Sequence, residues 1–244
     1  MDLTVVVPVH NEAGNIAPLL SEIQAALAGR YRFEIVYVND GSRDGTAAEL
    51  ARAQAAFTPL RVITHREACG QSTALRTGIR AARAPWIATL DGDGQNDPAD
   101  IPRLLDVLLP AAESSDLRMV AGYRRKRQDS QLKRVSSRIA NAVRSTLLGD
   151  ATPDTGCGLK VFSRETYLEL PYFDHMHRFL PALVQRAGWR VTSVEVNHRH
   201  RQQGKSKYGT LDRLFAGIVD LLGVMWLKRR ARRPQAVESD HALE

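Results

Sequence analysis

Two aspartates separated by a single glycine, in the run Asp91-Gly92-Asp93-Gly94-Gln95, are the residues of this chain best suited to chemistry. Alternate side chains of an extended segment project to one side, so two carboxylates and the Gln95 amide oxygen can face one ion. These are hard oxygen ligands, which suit Mg²⁺ or Mn²⁺, and few protein ligands suffice when substrate phosphates complete the shell. The glycines let backbone and a diphosphate approach closely. Asp97 extends the alternation toward an EF-hand loop. That reading fails, because Asn96 stands where such a loop needs its turn glycine and Pro102 where it needs its bidentate glutamate. The competing reading is an acidic turn capping the helix after Pro98, a task that falls to Asp97.

Two further carboxylates sit at comparable places: Glu12 follows a short apolar run at Val5–Val7, and Asp40 ends another at Ile35–Val38. The segment Asn39-Asp40-Gly41-Ser42-Arg43-Asp44-Gly45-Thr46 reads as a strand end, a tight turn and a helix start. Asp40 is placed to accept bonds from a base or ribose, and Asp44 to cap the helix. Neither GxxxxGK[ST] nor GxGxxG occurs, which disfavours an NTPase or a dinucleotide oxidoreductase. His175, His177, His198 and His200 lack metal-ligand spacing and read as surface or packing residues.

The elements that must position these groups alternate. Val5–Val7, Ile35–Val38, Leu60–Ile63 and Trp86–Leu90 read as buried parallel strands, separated by helical patterns over Ile16–Ala28, Asp44–Ala56 and Gln71–Ala82. The alternation predicts an α/β fold with an open, doubly wound, mostly parallel sheet, in which ligands collect beyond the carboxyl ends of the strands. Further strands are expected at Arg118–Tyr123, Leu159–Phe162 and Val191–Val196, and helices at Gln131–Leu148, basic and amphipathic, and at His177–Ala187. A polar loop, His198–Gly209, precedes a final helix over Leu211–Leu227. The expected division is a catalytic domain over 1–209, an interfacial helix with a basic collar over 210–233, and a disordered tail over 234–244.

A chain of 244 residues, 43% hydrophobic and 25% charged, can bury a full core. Its net charge of +7 is concentrated in Arg118–Arg144, Arg186–Lys207 and Lys228–Arg233, stripes that suit phosphates. Few aromatics interleave with the arginines, which disfavours nucleic acid as a partner. Cys69 and Cys157 lack paired spacing; a disulfide framework or zinc site is disfavoured, and both read as buried or semi-buried thiols in a reducing compartment. The first residues lack the basic start and apolar run of a signal peptide. In the last helix, Leu211, Leu214, Phe215, Ile218, Leu222 and Met225 recur at helical intervals, followed by Trp226, Lys228, Arg229, Arg230, Arg232 and Arg233. An apolar helix with an aromatic and cationic collar suits an anionic membrane surface, so the expected location is cytoplasmic and peripheral on the inner face of the membrane. Packing on the core, on a membrane-protein partner or on a second copy are the alternatives.

Taken together, Val5-Val6-Val7-Pro8-Val9-His10-Asn11-Glu12, Val38-Asn39-Asp40-Gly41-Ser42, Gly70-Gln71-Ser72 through Gly78, Asp91-Gly92-Asp93-Gly94-Gln95-Asn96-Asp97-Pro98 and Arg201-Gln202-Gln203-Gly204-Lys205-Ser206-Lys207 resemble the successive motifs of inverting family-2 glycosyltransferases of GT-A fold. The resemblance covers roughly residues 3–209 and points to the branch of dolichyl- or polyprenyl-phosphate sugar synthases. It implies a UDP- or GDP-linked nucleotide-sugar donor and a polyprenyl-phosphate acceptor. It further implies that Pro8, Glu12 and Asp40 grip the nucleoside, that Asp91, Asp93 and Gln95 hold the metal, and that Arg124, Arg134, Arg201 and Lys207 meet the phosphates. The chain departs from the branch pattern in its Asn-Asp second motif and in a turn one residue longer at Gly94–Asp97, which leaves Gln95 and Asp97 as alternatives for the third metal ligand.

A phosphate acceptor is already ionised at neutral pH and needs no base, whereas a hydroxyl acceptor does. The chain has no Glu-Asp pair followed by Gln-x-x-Arg-Trp, the family's signature for hydroxyl acceptors, which favours the lipid phosphate. Asp154 is the candidate base for the alternative, a hydroxyl-acceptor glycosyltransferase. A non-catalytic basic membrane adaptor is the alternative of another class.

Overall fold

The structure, a computed structural model, describes residues 1–124, 144–199 and 210–232, with the side chains of the last segment described from Gly217 onward. Seven strands form one sheet in the order β3-β2-β1-β4-β6-β5-β7. They are β1 (Leu3–Val9), β2 (Phe33–Asp40), β3 (Leu60–His65), β4 (Trp86–Thr89), β5 (Leu117–Tyr123), β6 (Lys160–Ser163) and β7 (Arg190–Glu195). All neighbouring pairs are parallel except the two that β6 makes, antiparallel to β4 and to β5. The mostly parallel α/β sheet expected from the alternation is therefore present, with one reversed strand inserted near its centre.

Helices α1 (Ile16–Leu27), α2 (Thr46–Ala56), α3 (Gln71–Ala81), α4 (Ile101–Ser114), α5 (Arg164–Leu168), α6 (Leu180–Arg186) and α7 (Thr210–Arg229) flank it. Strand β1 shows why three layers form. Val5, Val7 and Val9 pack with Ile16, Leu19, Ile23 and Leu27 of α1 and Leu104 and Leu108 of α4, while Val6 faces the opposite way into a cluster with Leu75 and Ile79 of α3. Both faces of the strand are thus covered, which is what a continuous valine run requires. Because β2 and β4 lie on opposite sides of β1, the chain reverses its winding direction there. The crevice beyond the carboxyl ends of β1 and β4 is the place such a sheet reserves for ligands.

The expected helix over His177–Ala187 is split. A 3-10 turn at Met176–Arg178 precedes α6, because Pro181 fits only the first turn of a helix and sets its start. Helix α2 begins at Thr46, with Asp44 accepting a bond from the Thr46 amide at 3.0 Å. Of the helix expected over Gln131–Leu148, only the helical residues 144–148 fall within the described residues, and the proposed tail lies outside them.

Helix α7 rests one side on the body. Leu221, Val224, Met225 and Leu227 join the cluster under α3 and α6. Asp220 lies 3.1 Å from Nδ1 of His175, Arg186 donates to the Leu227 carbonyl at 2.9 Å, and Lys228 donates to the Leu148 carbonyl. Ile218, Val219, Leu222 and Trp226 line the other side and are half or more exposed. Among the described residues, no helix is long and apolar enough to cross a membrane.

Candidate active site

Asp91 emerges two residues beyond the end of β4 and is braced from three directions. Its amide donates to Oδ1 of Asn96 at 3.1 Å, Nε2 of Gln71 donates to its Oδ1 at 2.8 Å, and its carboxylate lies against Gly158 in the loop before β6. A Cβ at position 158 would come within 2.3 Å of Oδ2, so only glycine admits the carboxylate there. Thr89 Oγ1 donates to the Gly158 carbonyl at 2.7 Å and locks that loop to the strand. Asp93 closes the turn, its Oδ1 accepting from the Gln95 amide at 3.1 Å.

The longer turn is stitched to the segment after β7. The Gln95 carbonyl accepts from the Arg199 amide at 3.1 Å, and Asp100 accepts from the Asn197 amide at 2.7 Å. Asp97 caps the 3-10 turn at Pro98–Asp100, accepting from the Ala99 amide at 3.0 Å, and pairs with the Arg199 guanidinium. With Asp97 engaged by Ala99 and Arg199, and the Asn96 amide oxygen by the Asp91 amide, Gln95 is the other side-chain oxygen on this stretch.

Burial, and then the neighbouring Asp93 carboxylate, push the Asp91 carboxyl up to about 6, although Lys160, Arg124 and the Gln71 amide act in the opposite direction. Burial of Asp91 beside a second carboxylate thus outweighs the nearby cations, and the donor set is made of hard oxygens. Both properties fit a divalent ion.

Behind Asp91 lies a buried polar cluster. At the end of β5, Arg124 makes a two-pronged ion pair with Asp154, Nε to Oδ2 at 2.6 Å and Nη2 to Oδ1 at 3.0 Å. Lys160, the first residue of β6, is buried and donates to the carbonyls of Thr155 (3.4 Å) and Cys157. It thereby holds the 154–158 loop that carries both Asp154 and Gly158. Burial pushes the Lys160 ammonium down and the Cys157 thiol up. Sequence reasoning did not assign Lys160 a role. The signal was a lone cation inside the run Leu159-Lys160-Val161-Phe162, where a charge needs partners to be buried at all.

On the opposite wall, Asp40 at the end of β2 accepts from the amides of Cys69 and Gly70, both at 2.8 Å, and lies 2.8 Å from Nδ1 of His65. His65 Nε2 in turn lies 3.0 Å from Thr77 Oγ1. Asp40 thus anchors the loop between β3 and α3 over the crevice. Gly41, at φ +62°, permits this closure, because a Cβ there would meet the Glu67 backbone at 2.4 Å. Asp40, His65 and Cys69 also bring ligand-type atoms within 4.8 Å of one another, but the Asp40 oxygens and both His65 nitrogens are engaged in these hydrogen bonds. Glu12 accepts from Asn15 Nδ2 at 2.8 Å, and its amide donates to Thr46 Oγ1 at 2.9 Å. Pro8 is half-buried in β1.

Cys69 is exposed, against the expectation of a buried or semi-buried thiol, because it lies on the loop that Asp40 anchors outside the core; Cys157 is buried. His177 packs as expected, 2.7 Å from Ser72 Oγ at the start of α3, and burial with the nearby positive charges pushes it down to about 3. The structure thus brings Asp91, Asp93, Arg124 and Gln95 to one end of the sheet, with Pro8, Glu12 and Asp40 on the β1–β2 side. Arg134, Arg201 and Lys207, together with Arg125, Lys126, Arg127 and His200, lie outside the described residues.

An Asp-x-Asp turn at the winding reversal of a three-layer sheet, with one reversed strand beside it, defines the GT-A class of glycosyltransferase. Residues 4–170 match the family described as Glycosyl transferase family 2, and the chain belongs to it. It is 35% identical over 239 residues to the dodecaprenyl-phosphate galacturonate synthase of Rhizobium johnstonii, covering 96% of this chain and 69% of that one. It is also 35% identical over 226 residues to the undecaprenyl-phosphate 4-deoxy-4-formamido-L-arabinose transferase of Pseudomonas fluorescens, covering 91% of this chain and 64% of that one. The chain thus spans about two thirds of the length of these curated relatives. In fold it is similar to the glucosyl-3-phosphoglycerate synthase of Mycobacterium tuberculosis solved with Mn²⁺, UDP and glucosyl-3-phosphoglycerate. The TM-score is 0.68 at 18% identity, covering 93% of this chain and 79% of that one. The same synthase solved with Mg²⁺ and UDP gives a TM-score of 0.66 at 18% identity, again covering 93% and 79%.

Proposed function

We propose that this glycosyltransferase moves a sugar from a UDP- or GDP-linked donor to a polyprenyl phosphate, with inversion at the anomeric carbon and with Mg²⁺ or Mn²⁺ as cofactor. The observation that carries the reading is the Asp91–Asp93 carboxylate pair, with the Asp91 carboxyl raised by burial and by Asp93, placed at the winding reversal beside a loop that Asp40 anchors. The acceptor class comes from the two prenyl-phosphate relatives.

Asp91, Asp93 and the Gln95 amide oxygen would hold the ion, which supplies charge neutralisation for the departing diphosphate. The chain's own residues do the rest. Pro8, Glu12 and the Asp40-anchored loop seat the nucleoside, and Gln71 and Gly158 fix the Asp91 carboxylate. Arg124, with Arg134, Arg201 and Lys207 by the family resemblance, meets the phosphates. An acceptor phosphate oxygen attacks the anomeric carbon from the face opposite the diphosphate. The new C–O bond forms as the bond to the diphosphate breaks, and no proton need be removed. Asp154, the candidate base of the hydroxyl-acceptor alternative, has both carboxylate oxygens engaged by Arg124.

The exposed row Ile218, Val219, Leu222 and Trp226, with Lys228, Arg229, Arg230 and Arg232 at its end, suits the headgroup region of an anionic bilayer, where a lipid acceptor is found. Peripheral attachment to the cytoplasmic face of the membrane is therefore part of the proposal.

The test is a panel of labelled UDP- and GDP-sugars with polyprenyl phosphate and Mn²⁺ or Mg²⁺, read as label entering the organic phase. Transfer that depends on both metal and lipid phosphate is expected. Equal nucleotide release with a free sugar acceptor, or undiminished transfer in chelator, would overturn the reading. Loss of transfer in Asp154→Asn with donor binding intact would move the assignment to a hydroxyl acceptor. Saturable membrane binding without any turnover would move it to a non-catalytic adaptor.

A further inference from the structure

A second cationic site lies away from the Asp91 turn, on the flank formed by α3 and α5. A cavity of about 390 Å³ opens there, lined by Arg76, Arg80 and Arg164, by the rings of Tyr167 and Tyr172, and by apolar side chains that include Leu168. No acidic side chain lines it among the described residues. Arg76 and Arg80 stand one turn apart on the same face of α3, and Arg80 follows Gln71, the residue that touches Asp91, by nine positions. At 1.5 Å per residue that puts Arg80 roughly 14 Å, and Arg76 roughly 7 Å, along the helix axis from Gln71, and the cavity shares no lining residue with the Asp91 turn.

Two of the three guanidinium groups, those of Arg164 and Arg76, are held in place by neutral partners. Arg164 donates from Nε to the Ile79 carbonyl at 3.0 Å and from Nη2 to the Arg80 carbonyl at 2.8 Å, closing the end of α3 and leaving Nη1 for another acceptor. Arg76 lies 4.1 Å above the centre of the Tyr172 ring, and the Tyr172 hydroxyl lies 2.7 Å from Thr73 Oγ1, so ring and guanidinium are both fixed. None of the three pairs with a carboxylate among the described residues. Three like charges converging on one cavity repel one another and lack an internal counter-ion, and planar forks are matched by the oxygens of a phosphate. Leu168 and Tyr172, both more than a third exposed, give the mouth an apolar wall.

We infer that this cavity binds a phosphate monoester that carries an apolar group, with the phosphate between Arg76, Arg80 and Arg164 and the apolar part against Leu168 and Tyr172. Tyr167 and Met176 from its wall share the core cluster on which Val224 of α7 rests. A lipid headgroup and a free phosphorylated compound are the two sources of this chemistry. The inference rests on the cavity alone and stands or falls separately from the acceptor proposed above.

The experiment is calorimetric titration of the full chain with monomeric dihexanoyl phosphatidate and, separately, with glycerol 3-phosphate. The parent is compared with an Arg76→Gln/Arg80→Gln double variant and with Tyr172→Leu, while UDP binding with Mn²⁺ serves as the control for an intact fold. Saturable binding of phosphatidate by the parent, weakened about tenfold or more in the double variant with UDP binding unchanged, is the expected result. Phosphatidate binding well above glycerol 3-phosphate, and falling in Tyr172→Leu, is the expected result for a lipid headgroup, whereas equal binding of the two probes would overturn the apolar contact with Leu168 and Tyr172. A parent that binds neither probe saturably, or a double variant that binds both as well as the parent, overturns the inference.

Discussion

Replacing Gly158 by alanine should disable the metal turn without removing any charged or polar group. The added Cβ would stand 2.3 Å from Oδ2, 2.4 Å from Cγ and 2.7 Å from Oδ1 of Asp91. Comfortable contacts to carbon begin near ~3.5 Å, so either the carboxylate or the 154–158 loop must retreat by about 1 Å. The loop is held by Thr89 and by Lys160, and the carboxylate by Gln71, so the movement breaks at least one of these bonds whichever side gives way. A misplacement of about 1 Å in a catalytic constellation costs on the order of 10²-fold in rate, and the overpacking itself costs about 1–3 kcal/mol of stability. We therefore expect Gly158→Ala to lower kcat/KM about 100-fold, to weaken Mn²⁺ binding and to lower the melting temperature by several degrees. The assay is nucleoside diphosphate release at saturating Mn²⁺, accompanied by thermal unfolding. Gly223→Ala in α7, where a Cβ meets nothing within 4 Å, is the control, with unchanged activity and about 1 kcal/mol of added stability. Activity within about threefold of the parent, with unaltered metal affinity, would refute the claim that the placement of the Asp91 carboxylate governs this site.

The pH dependence follows from the same residue. Its carboxyl is raised to about 6, so the folded chain holds a proton that the unfolded chain has lost between the ordinary value and that one. Metal-free protein should accordingly lose stability as pH rises from about 4 to 7, by roughly 1–2 kcal/mol after allowance for partial exposure, and Asp91→Asn should abolish that slope. Denaturant unfolding in EDTA at the two pH values checks it, with identical slopes in parent and variant as the contrary result. Metal affinity should fall in step as pH drops through about 6, since ion and proton compete for one carboxylate. Lys160→Met should lower kcat by about tenfold or more, by freeing the 154–158 loop, while Mn²⁺ affinity holds or rises because a cation has left the neighbourhood of Asp91; parallel losses in both would contradict it. A Leu222→Ser/Trp226→Ser variant should bind phosphatidylglycerol vesicles more than tenfold less tightly at unchanged donor binding, each side chain contributing about 1.5–3 kcal/mol when buried in the interface. Unaltered flotation would show that the exposed row of α7 does not meet the membrane.

Much of the architecture was legible because its signals are local. The valine run of β1 announces a strand covered on both faces, and Ile16, Leu19, Ile23 and Leu27 announce one buried side of a helix. Asp97 occupies the cap position its neighbours imply, whereas Gly45 rather than Asp44 precedes α2, Asp44 bonding the Thr46 amide from one residue further back. The antiparallel direction of β6 was not legible, because a four-residue strand, Lys160–Ser163, carries no mark of which way it pairs. The same holds for the brace on Asp40: Cys69 and Gly70 lie 29 and 30 residues away, and only chain closure brings their amides to its carboxylate.

The chemistry itself divides along this line. Hard oxygens two apart at a strand end are a property of spacing, but the extended alternation expected of 91, 93 and 95 is replaced in the fold by a turn, closed by the Asp93–Gln95 bond and with Gly94 at φ +73°. How strongly that turn calls for a cation was decided by tertiary structure, through the burial of Asp91 and the distances to Asp93, Lys160 and Arg124. The sequence names residue types and their local order, which suffices for periodicity, caps and ligand hardness. Desolvation and Coulomb interaction depend on separations through space between groups far apart in the chain, and those exist only once the sheet has closed around them.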